Sequence, residues 1–159
     1  YGIAPDWNQI AIPPGASLGF AISFLAAFDS GDNIAIATPG YPAYRNLMTA
    51  LGLVPDLIPA CAMVAWRPDL GALEKSGTLQ DGILLASPAN PTGVVIDDDD
   101  LADICAWCSR HSVRQIMDEI YLGLTSGVCS TTALNFIQNA IIVYSFCSFH
   151  SSPLFSFYF

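Results

Sequence analysis

The chain of 159 residues has little charge, and very little of that charge is positive. Charged residues make up 12% of the composition, against roughly 25% in an ordinary soluble domain. Lys75 and four arginines are the only fixed cations, and the formal net charge is −9. Nucleic-acid binding needs clustered cations that displace counterions from phosphates, so the sequence predicts no nucleic-acid partner.

Signals for export and for membrane insertion are also lacking. The N-terminus shows no basic segment followed by an apolar one, so no secretion signal is expected. Five cysteines are an odd number without a framework spacing, which predicts reduced thiols and a cytoplasmic protein. Residues 140–159 contain no Lys, Arg, Asp or Glu, but His150, Pro153 and several serines interrupt them and no cations flank them, so no transmembrane helix is expected.

Apolar runs alternate with amphipathic stretches along most of the chain. This alternation is typical of an α/β domain, and the length suits one domain. The predicted fold is three-layer α/β/α around a mainly parallel, mixed sheet. Strands are expected over 9–12, 33–38, 53–58, 82–86, 113–117 and 140–144, and helices over 17–28, 42–51, 69–75 and 101–110. The run ending at Tyr144 is the last convincing strand.

Two early segments carry groups suited to a phosphate and to a flat ring. Gly15-Ala16-Ser17 lies between a predicted strand and a helix start, where free N–H groups and the helix dipole favour an anion. The alternative is a plain helix cap with Ser17 satisfying an N–H. Tyr41 lies on a tight turn after a strand, where its ring can stack on a planar heterocycle. A tyrosine packed in the turn is the alternative.

Two later segments carry an amide, a carboxylate and a phenol. Asn90-Pro91-Thr92-Gly93 follows a predicted buried strand, and sites in α/β sheets gather beyond the carboxyl ends of strands. The Asn90 amide can donate to a phenolate oxygen. Asp118 also follows a strand, and a buried carboxylate keeps a pyridine nitrogen protonated; Tyr121 can bond a ring hydroxyl. A structural aspartate that caps a turn is the alternative for Asp118.

In their order and context, these segments resemble fold-type I enzymes dependent on pyridoxal 5'-phosphate (PLP), in the class I/II aminotransferase family. The resemblance runs from Tyr1 to Phe146. It implies PLP as cofactor, transfer of an amino group between an amino acid and a 2-oxo acid, and a homodimer. It implies phosphate contacts from Ala16, Ser17 and Ser145, stacking by Tyr41, contacts from Asn90 and Tyr121 to the ring oxygen, and a contact from Asp118 to the ring nitrogen.

The sequence departs from the family after Ser145-Phe146. In the family this pair opens a Ser-Phe-Ser-Lys segment whose lysine holds PLP as a Schiff base. Here Cys147 and Ser148 follow, and a serine hydroxyl cannot form an imine. No catalytic residue is therefore assigned, and Lys75 is expected to end a surface helix. The family's second phosphate ligand, an arginine, is also missing, because no arginine follows Arg114.

These departures set the predicted domain organisation. Residues 1–146 are interpreted as a partial large, PLP-binding domain, and residues 147–159 as an aberrant or out-of-frame tail. The family's small domain and N-terminal arm are expected to be missing, and the chain is expected to be inactive alone. Two alternatives stay open: a PLP-dependent lyase or decarboxylase of the same fold, and a non-catalytic domain that binds PLP or a partner.

Other chemistry-bearing residues favour structural roles. Cys105 and Cys108 lie inside a predicted helix and not at its start, where a thiolate would be stabilised. The run Asp97–Asp100 lacks the glycine and closing glutamate of a calcium loop and suits a helix N-terminus. His111 and His150 are isolated. No metal site is predicted.

Overall fold

The computed structural model describes residues 3–60, 69–125, 131–136, 140–145 and 155–158. Strands in these ranges are β1 (Ile10–Ala11), β2 (Asn33–Thr38), β3 (Val54–Pro59), β4 (Gly82–Ala86), β5 (Arg114–Asp118), β6 (Ala140–Ser145) and β7 (Phe155–Tyr158). The α-helices are α1 (Ala16–Ala27), α2 (Pro42–Ala50), α3 (Leu70–Ser76) and α4 (Asp98–His111). Two short 3₁₀ helices cover Trp7–Gln9 and Ala133–Asn135.

All seven strands form one sheet in the order β1-β7-β6-β5-β4-β2-β3. The five strands from β6 to β3 run parallel, whereas β7 is antiparallel to both β6 and β1. Parallel neighbours need long crossover connections, which the helices between the strands provide. The predicted α/β fold with a mainly parallel, mixed sheet is confirmed.

Side chains that alternate along the strands build a separate core on each face of the sheet. Leu84 of β4 packs with α1 and α2 through Phe24 and Met48. Its neighbours Ile83 and Leu85 point to the other face and pack with α3 and α4. Because both faces are covered, the central strands are apolar throughout, as parallel strands in three-layer proteins are.

The α-helices begin close to their predicted positions, with one informative difference. The side chain of Asp97 accepts a hydrogen bond from the backbone N–H of Asp100 at 2.9 Å, and Asp98 to Asp100 form the first turn of α4. The predicted start of this helix at Leu101 was therefore three residues late, although the acidic run does form a helix N-terminus as expected. Lys75 lies exposed in the last turn of α3, which confirms its predicted position.

Gly82 allows α1 and β4 to come close together. A Cβ atom at this position would lie 2.3 Å from Cζ of Phe28, the residue that ends α1. Such a separation is far inside van der Waals contact, so a larger residue at this position would displace the Phe28 ring. The glycine therefore leaves the space at the start of β4 that the Phe28 ring occupies.

Two strand predictions need correction. The 3₁₀ helix takes up Gln9, and β1 covers only Ile10–Ala11 of the predicted strand over 9–12. β6 is not the last strand, because Phe155–Tyr158 forms β7. The interpretation of residues 147–159 as an aberrant tail stays a prediction. Among the described residues, no helix is long and apolar enough to cross a membrane.

Candidate active site

The five parallel strands end at one edge of the sheet, and four of them lead to the candidate site. β2, β4, β5 and β6 end at Thr38, Ala86, Asp118 and Ser145. In open α/β sheets, ligands bind beyond the carboxyl ends of the strands. Most of the site residues predicted from the sequence lie at this edge or in the loops that leave it.

The loop after β2 carries Tyr41, which is the residue immediately before α2. Its side chain is 42% exposed. The ring meets Tyr44, one turn into α2, edge to face with 5.5 Å between ring centroids. Both tyrosines line an open cavity of about 270 Å³ together with Pro39 and Arg45. The Tyr41 ring thus packs against Tyr44 and also borders the open cavity.

The loop after β4 carries Asn90, and backbone hydrogen bonds hold this loop closed. The N–H of Gly93 donates to the carbonyl of Ala89 at 2.7 Å, and the N–H of Ala89 donates to the carbonyl of Val94 at 2.9 Å. Asn90 and Tyr121 line the same open cavity of about 390 Å³. The structure therefore brings together the two residues predicted to contact one ring oxygen.

Asp118, at the end of β5, is only 3% exposed. Its Oδ1 accepts a hydrogen bond from the backbone N–H of Ile120 at 3.0 Å, and its Oδ2 accepts one from the hydroxyl of Tyr44. Burial raises the pKa of Asp118 to about 6, although both hydrogen bonds act to lower it. The bond to Ile120 shows that Asp118 also caps a turn, so the structural role considered for it is present.

The neighbouring carboxyl group, that of Glu119, binds a different part of the chain. It is buried, and its Oε1 accepts a hydrogen bond from the backbone N–H of Ala133 at 2.8 Å. Burial raises the pKa of Glu119 to about 7, while the bonds from Ala133 and Thr132 act to lower it. Glu119 therefore ties the segment 131–136 to the end of β5.

The residues predicted to bind phosphate lie at the start of α1 and the end of β6. α1 begins at Ala16 after Gly15, whose φ of 108° suits glycine. No side chain caps this helix, so the alternative that Ser17 serves as its cap is wrong. Ser145 is buried at the end of β6, the strand on which α1 packs. Ser148, at the position of the expected lysine, lies outside the described residues.

Tyr44 is the site residue that the sequence analysis missed. It is 5% exposed, and its hydroxyl reaches a carboxylate 74 positions later in the chain. Burial raises the pKa of Tyr44, and the nearby Asp118 carboxylate raises it further. The hydroxyl is therefore protonated and acts as a donor. The only sequence signal was its position three residues after Tyr41, one helical turn along α2.

The two cysteines of α4 are buried free thiols. The Sγ of Cys105 donates to Oε1 of Gln115 at 3.4 Å, and burial raises the pKa of Cys108 to about 12. A thiolate is therefore disfavoured at Cys108. Among the described residues, no group of three or more His, Cys, Asp or Glu side chains converges as a metal site would require.

The family model for aminotransferase class I and II matches residues 4–149, and the chain belongs to that family.

Among its relatives, the valine–pyruvate aminotransferase of Mycobacterium tuberculosis is 40% identical over 153 residues, covering 95% of this chain and 39% of that protein. The (5-formylfuran-3-yl)methyl phosphate transaminase of Methanocaldococcus jannaschii is 33% identical over 138 residues, covering 86% and 34%. The crystal structure of an aminotransferase from Mycobacterium tuberculosis superposes with a TM-score of 0.91 at 38% identity, covering 99% of this chain and 44% of that one. The chain thus spans less than half of the length of each of these relatives, from 34% to 44%.

Proposed function

We propose that the strand-end cleft, by which we mean the region around Tyr41, Asn90, Asp118 and Tyr121, is the PLP-binding part of an aminotransferase site. The complete protein would transfer an amino group between an amino acid and a 2-oxo acid. The observation that carries this proposal is Asp118, a buried carboxylate at the carboxyl end of β5. It lies at the same sheet edge as the loops that carry Tyr41 and Asn90.

The chemistry of Asp118 fits the pyridine ring of PLP. A buried carboxylate is unfavourable unless positive or hydrogen-bonding groups compensate for its lost hydration. Here burial outweighs the two hydrogen bonds and raises the pKa to about 6. A protonated ring nitrogen would supply both a charge and a donor, and its presence would lower the pKa of Asp118. The PLP ring nitrogen would therefore compensate the buried charge of Asp118.

The other residues would hold the rest of the cofactor. Tyr41 would pack against one face of the ring, and Asn90 and Tyr121 would donate to its phenolic oxygen. The first N–H groups of α1, at Ala16 and Ser17, have no partners within the helix and would bind the phosphate with the Ser145 hydroxyl. When bound, PLP supplies an electron sink for reactions at an amino acid's α-carbon.

Removing the groups that contact the ring oxygen tests this function. Asn90→Ala and Tyr121→Phe are each expected to weaken binding about tenfold, because each removes one hydrogen bond to a charged oxygen. Equilibrium dialysis with pyridoxamine 5'-phosphate measures this loss and avoids reaction of an aldehyde with amines. Lys75→Ala is the control, since Lys75 lies on the surface of α3, and its dissociation constant should equal that of the natural chain. Unchanged binding in both cleft variants would contradict the proposal.

The outward side of α1 supports a second proposal, that two copies of this domain associate. Leu18, Ile22 and Leu25 are exposed by 43%, 36% and 67%. Spacings of four and three residues place them on one side of the helix. Contiguous exposed apolar surface commonly marks an interface, and the family resemblance implies a homodimer. We propose that this stripe lies against the partner subunit.

A charge in the stripe is expected to break this association. Leu25→Glu should shift the sedimentation coefficient of the chain from dimer to monomer, because an unpaired carboxylate would be buried between the subunits. Leu79→Glu is a matched control, since Leu79 is 88% exposed and lies in the connection between α3 and β4, outside the stripe. A dimer that survives Leu25→Glu, or a natural chain that sediments as a monomer at all concentrations, would refute this interface.

A further inference from the structure

We propose that Tyr44 is a positioning residue for the cofactor: its hydroxyl holds the Asp118 carboxylate charged and aimed for the ring nitrogen. This inference rests on the proposed function, because it assigns Asp118 to that nitrogen. Tyr44 itself need not touch the cofactor. It would act through Asp118, by a hydrogen bond between side chains from two different elements of the fold.

The position of the Tyr44 hydroxyl is fixed by packing. The ring is 5% exposed and belongs to the core formed by α1, α2 and the sheet. Phe20 meets it edge to face with 5.1 Å between ring centroids, and Tyr41 meets it in the same manner at 5.5 Å. With aromatic rings on two sides, the Tyr44 side chain has little freedom to rotate. Its hydroxyl is therefore held at Oδ2 of Asp118.

The surroundings of Asp118 make this donor important. Its paired neighbours on the flanking strands are Ala86 of β4 and Val143 of β6, both apolar. In the part of the chain that the structure describes, the titratable side chains that interact with this pair are Tyr41 before α2 and Glu119 and Tyr121 after β5. None of these is a cation.

The negative charge therefore depends on the Tyr44 hydroxyl and on the N–H of Ile120. Hydrogen bonds to an ionised group are stronger than neutral ones. The Tyr44 hydrogen bond lowers the pKa of Asp118 and so opposes the effect of burial. Without the hydroxyl, the pKa of Asp118 would rise from about 6 toward 7. A protonated Asp118 can no longer supply the charge that keeps a ring nitrogen protonated.

Titration of the cofactor-free chain tests the contact independently of PLP binding. Carbon-13 NMR of the Asp118 carboxyl should give a midpoint near pH 6 in the natural chain, and Tyr44→Phe should raise that midpoint by about one pH unit. Tyr41→Phe is the matched control, because it removes a phenol hydroxyl one helical turn away that does not bond Asp118 and keeps the ring that packs on Tyr44; its midpoint should stay near 6. Equal midpoints for Tyr44→Phe and the natural chain would overturn the proposal.

A second NMR signal covers the case in which Tyr44→Phe does not fold. In the natural chain, the shift of the ring carbon that bears the Tyr44 hydroxyl should follow the titration of Asp118, because the hydroxyl donates a hydrogen bond to the carboxylate whose charge changes. A Tyr44 signal that ignores this titration overturns the proposal without any variant.

Cofactor binding supplies the functional test. At pH 6, Tyr44→Phe should bind pyridoxamine 5'-phosphate about fivefold more weakly than the natural chain, because a smaller fraction of its Asp118 is ionised. At pH 8.5 both proteins should have ionised Asp118, and the ratio of their dissociation constants should approach one. A purely structural defect would weaken binding equally at both values, and that result would overturn the proposal. If the natural chain bound no cofactor, the proposed function would fail while the titration still decided whether Tyr44 controls Asp118.

Discussion

Replacing Ser148 by lysine is expected to give the chain a covalent attachment to PLP that its natural sequence cannot form. A primary amine condenses with the PLP aldehyde, whereas a serine hydroxyl does not form an imine. After incubation with PLP and reduction with borohydride, Ser148→Lys should gain the mass of one reduced cofactor per chain. Peptide mapping should locate that mass at position 148. The natural chain should gain no stoichiometric label. The expected difference is therefore one reduced cofactor per chain against none.

Two controls define this result. Ser152→Lys adds an amine four residues further along the same segment, where no cofactor contact is predicted, and it should remain unlabelled. Mapping also separates any reaction at the N-terminal amine or at Lys75, the natural lysine, which is exposed on α3. Stoichiometric labelling of Lys75 in the natural chain would mean that its assignment as a surface residue outside the site is wrong. Equal labelling of both serine variants would mean that position 148 has no special relation to the cofactor.

Asp118→Asn is expected to weaken cofactor binding and to stabilise the fold at the same time. The amide has nearly the shape of the carboxyl group and can still accept the Ile120 N–H, but it carries no charge for the ring nitrogen. Affinity for pyridoxamine 5'-phosphate should fall about 10- to 100-fold, the effect of losing a charge-assisted hydrogen bond. The free energy of unfolding at pH 7.5 should rise by about 1–2 kcal/mol, because a buried charge is removed.

The pH dependence gives the sign of the stability change. The pKa of Asp118 is about 6 in the folded chain against an ordinary 3.8, so the folded state binds its proton more tightly than the unfolded state does. This contribution to the free energy of unfolding is greatest below pH 4 and is lost as the pH rises through 6. Urea denaturation at pH 5 and pH 7.5 should therefore show a smaller difference between the two pH values in Asp118→Asn. Asp99→Asn, in the exposed first turn of α4, is the control. Parallel losses of stability and affinity in Asp118→Asn would show that Asp118 serves the fold alone.

Much of the sheet could be predicted because its central strands are apolar on both faces. The strands over 33–38 and 82–86 have the predicted bounds, since each apolar run begins and ends at polar or turn-forming residues. β7 was missed because its sequence, Phe-Ser-Phe-Tyr, follows no recognisable turn and lies in a segment of Ser, Phe and Pro. Its place in the sheet depends on pairing with β6 and β1, which are distant in sequence.

Some residues of the candidate site could likewise be predicted from the sequence, and one could not. Asn90, Asp118 and Tyr121 could be identified because each follows a strand directly or within a short loop. Tyr44 could not, because its importance lies in one contact across the sheet edge to a residue 74 positions away. Local sequence shows a tyrosine on a helix; it does not show which buried carboxylate that tyrosine meets. Contacts of this kind arise only when the chain has folded.

The position of β7 links the two ends of the described chain. β1 pairs with β7 through Ile10 and Ala11, and β7 in turn pairs with β6. The segment that leads into Gly15 is therefore joined to the sheet through residues from the opposite end of the sequence. Loss of β7 would therefore remove the strand that pairs with β1, which precedes the turn that opens α1, where the phosphate contacts are proposed. With this topology, the segment before α1 and the strand β7 are expected to fold and unfold together.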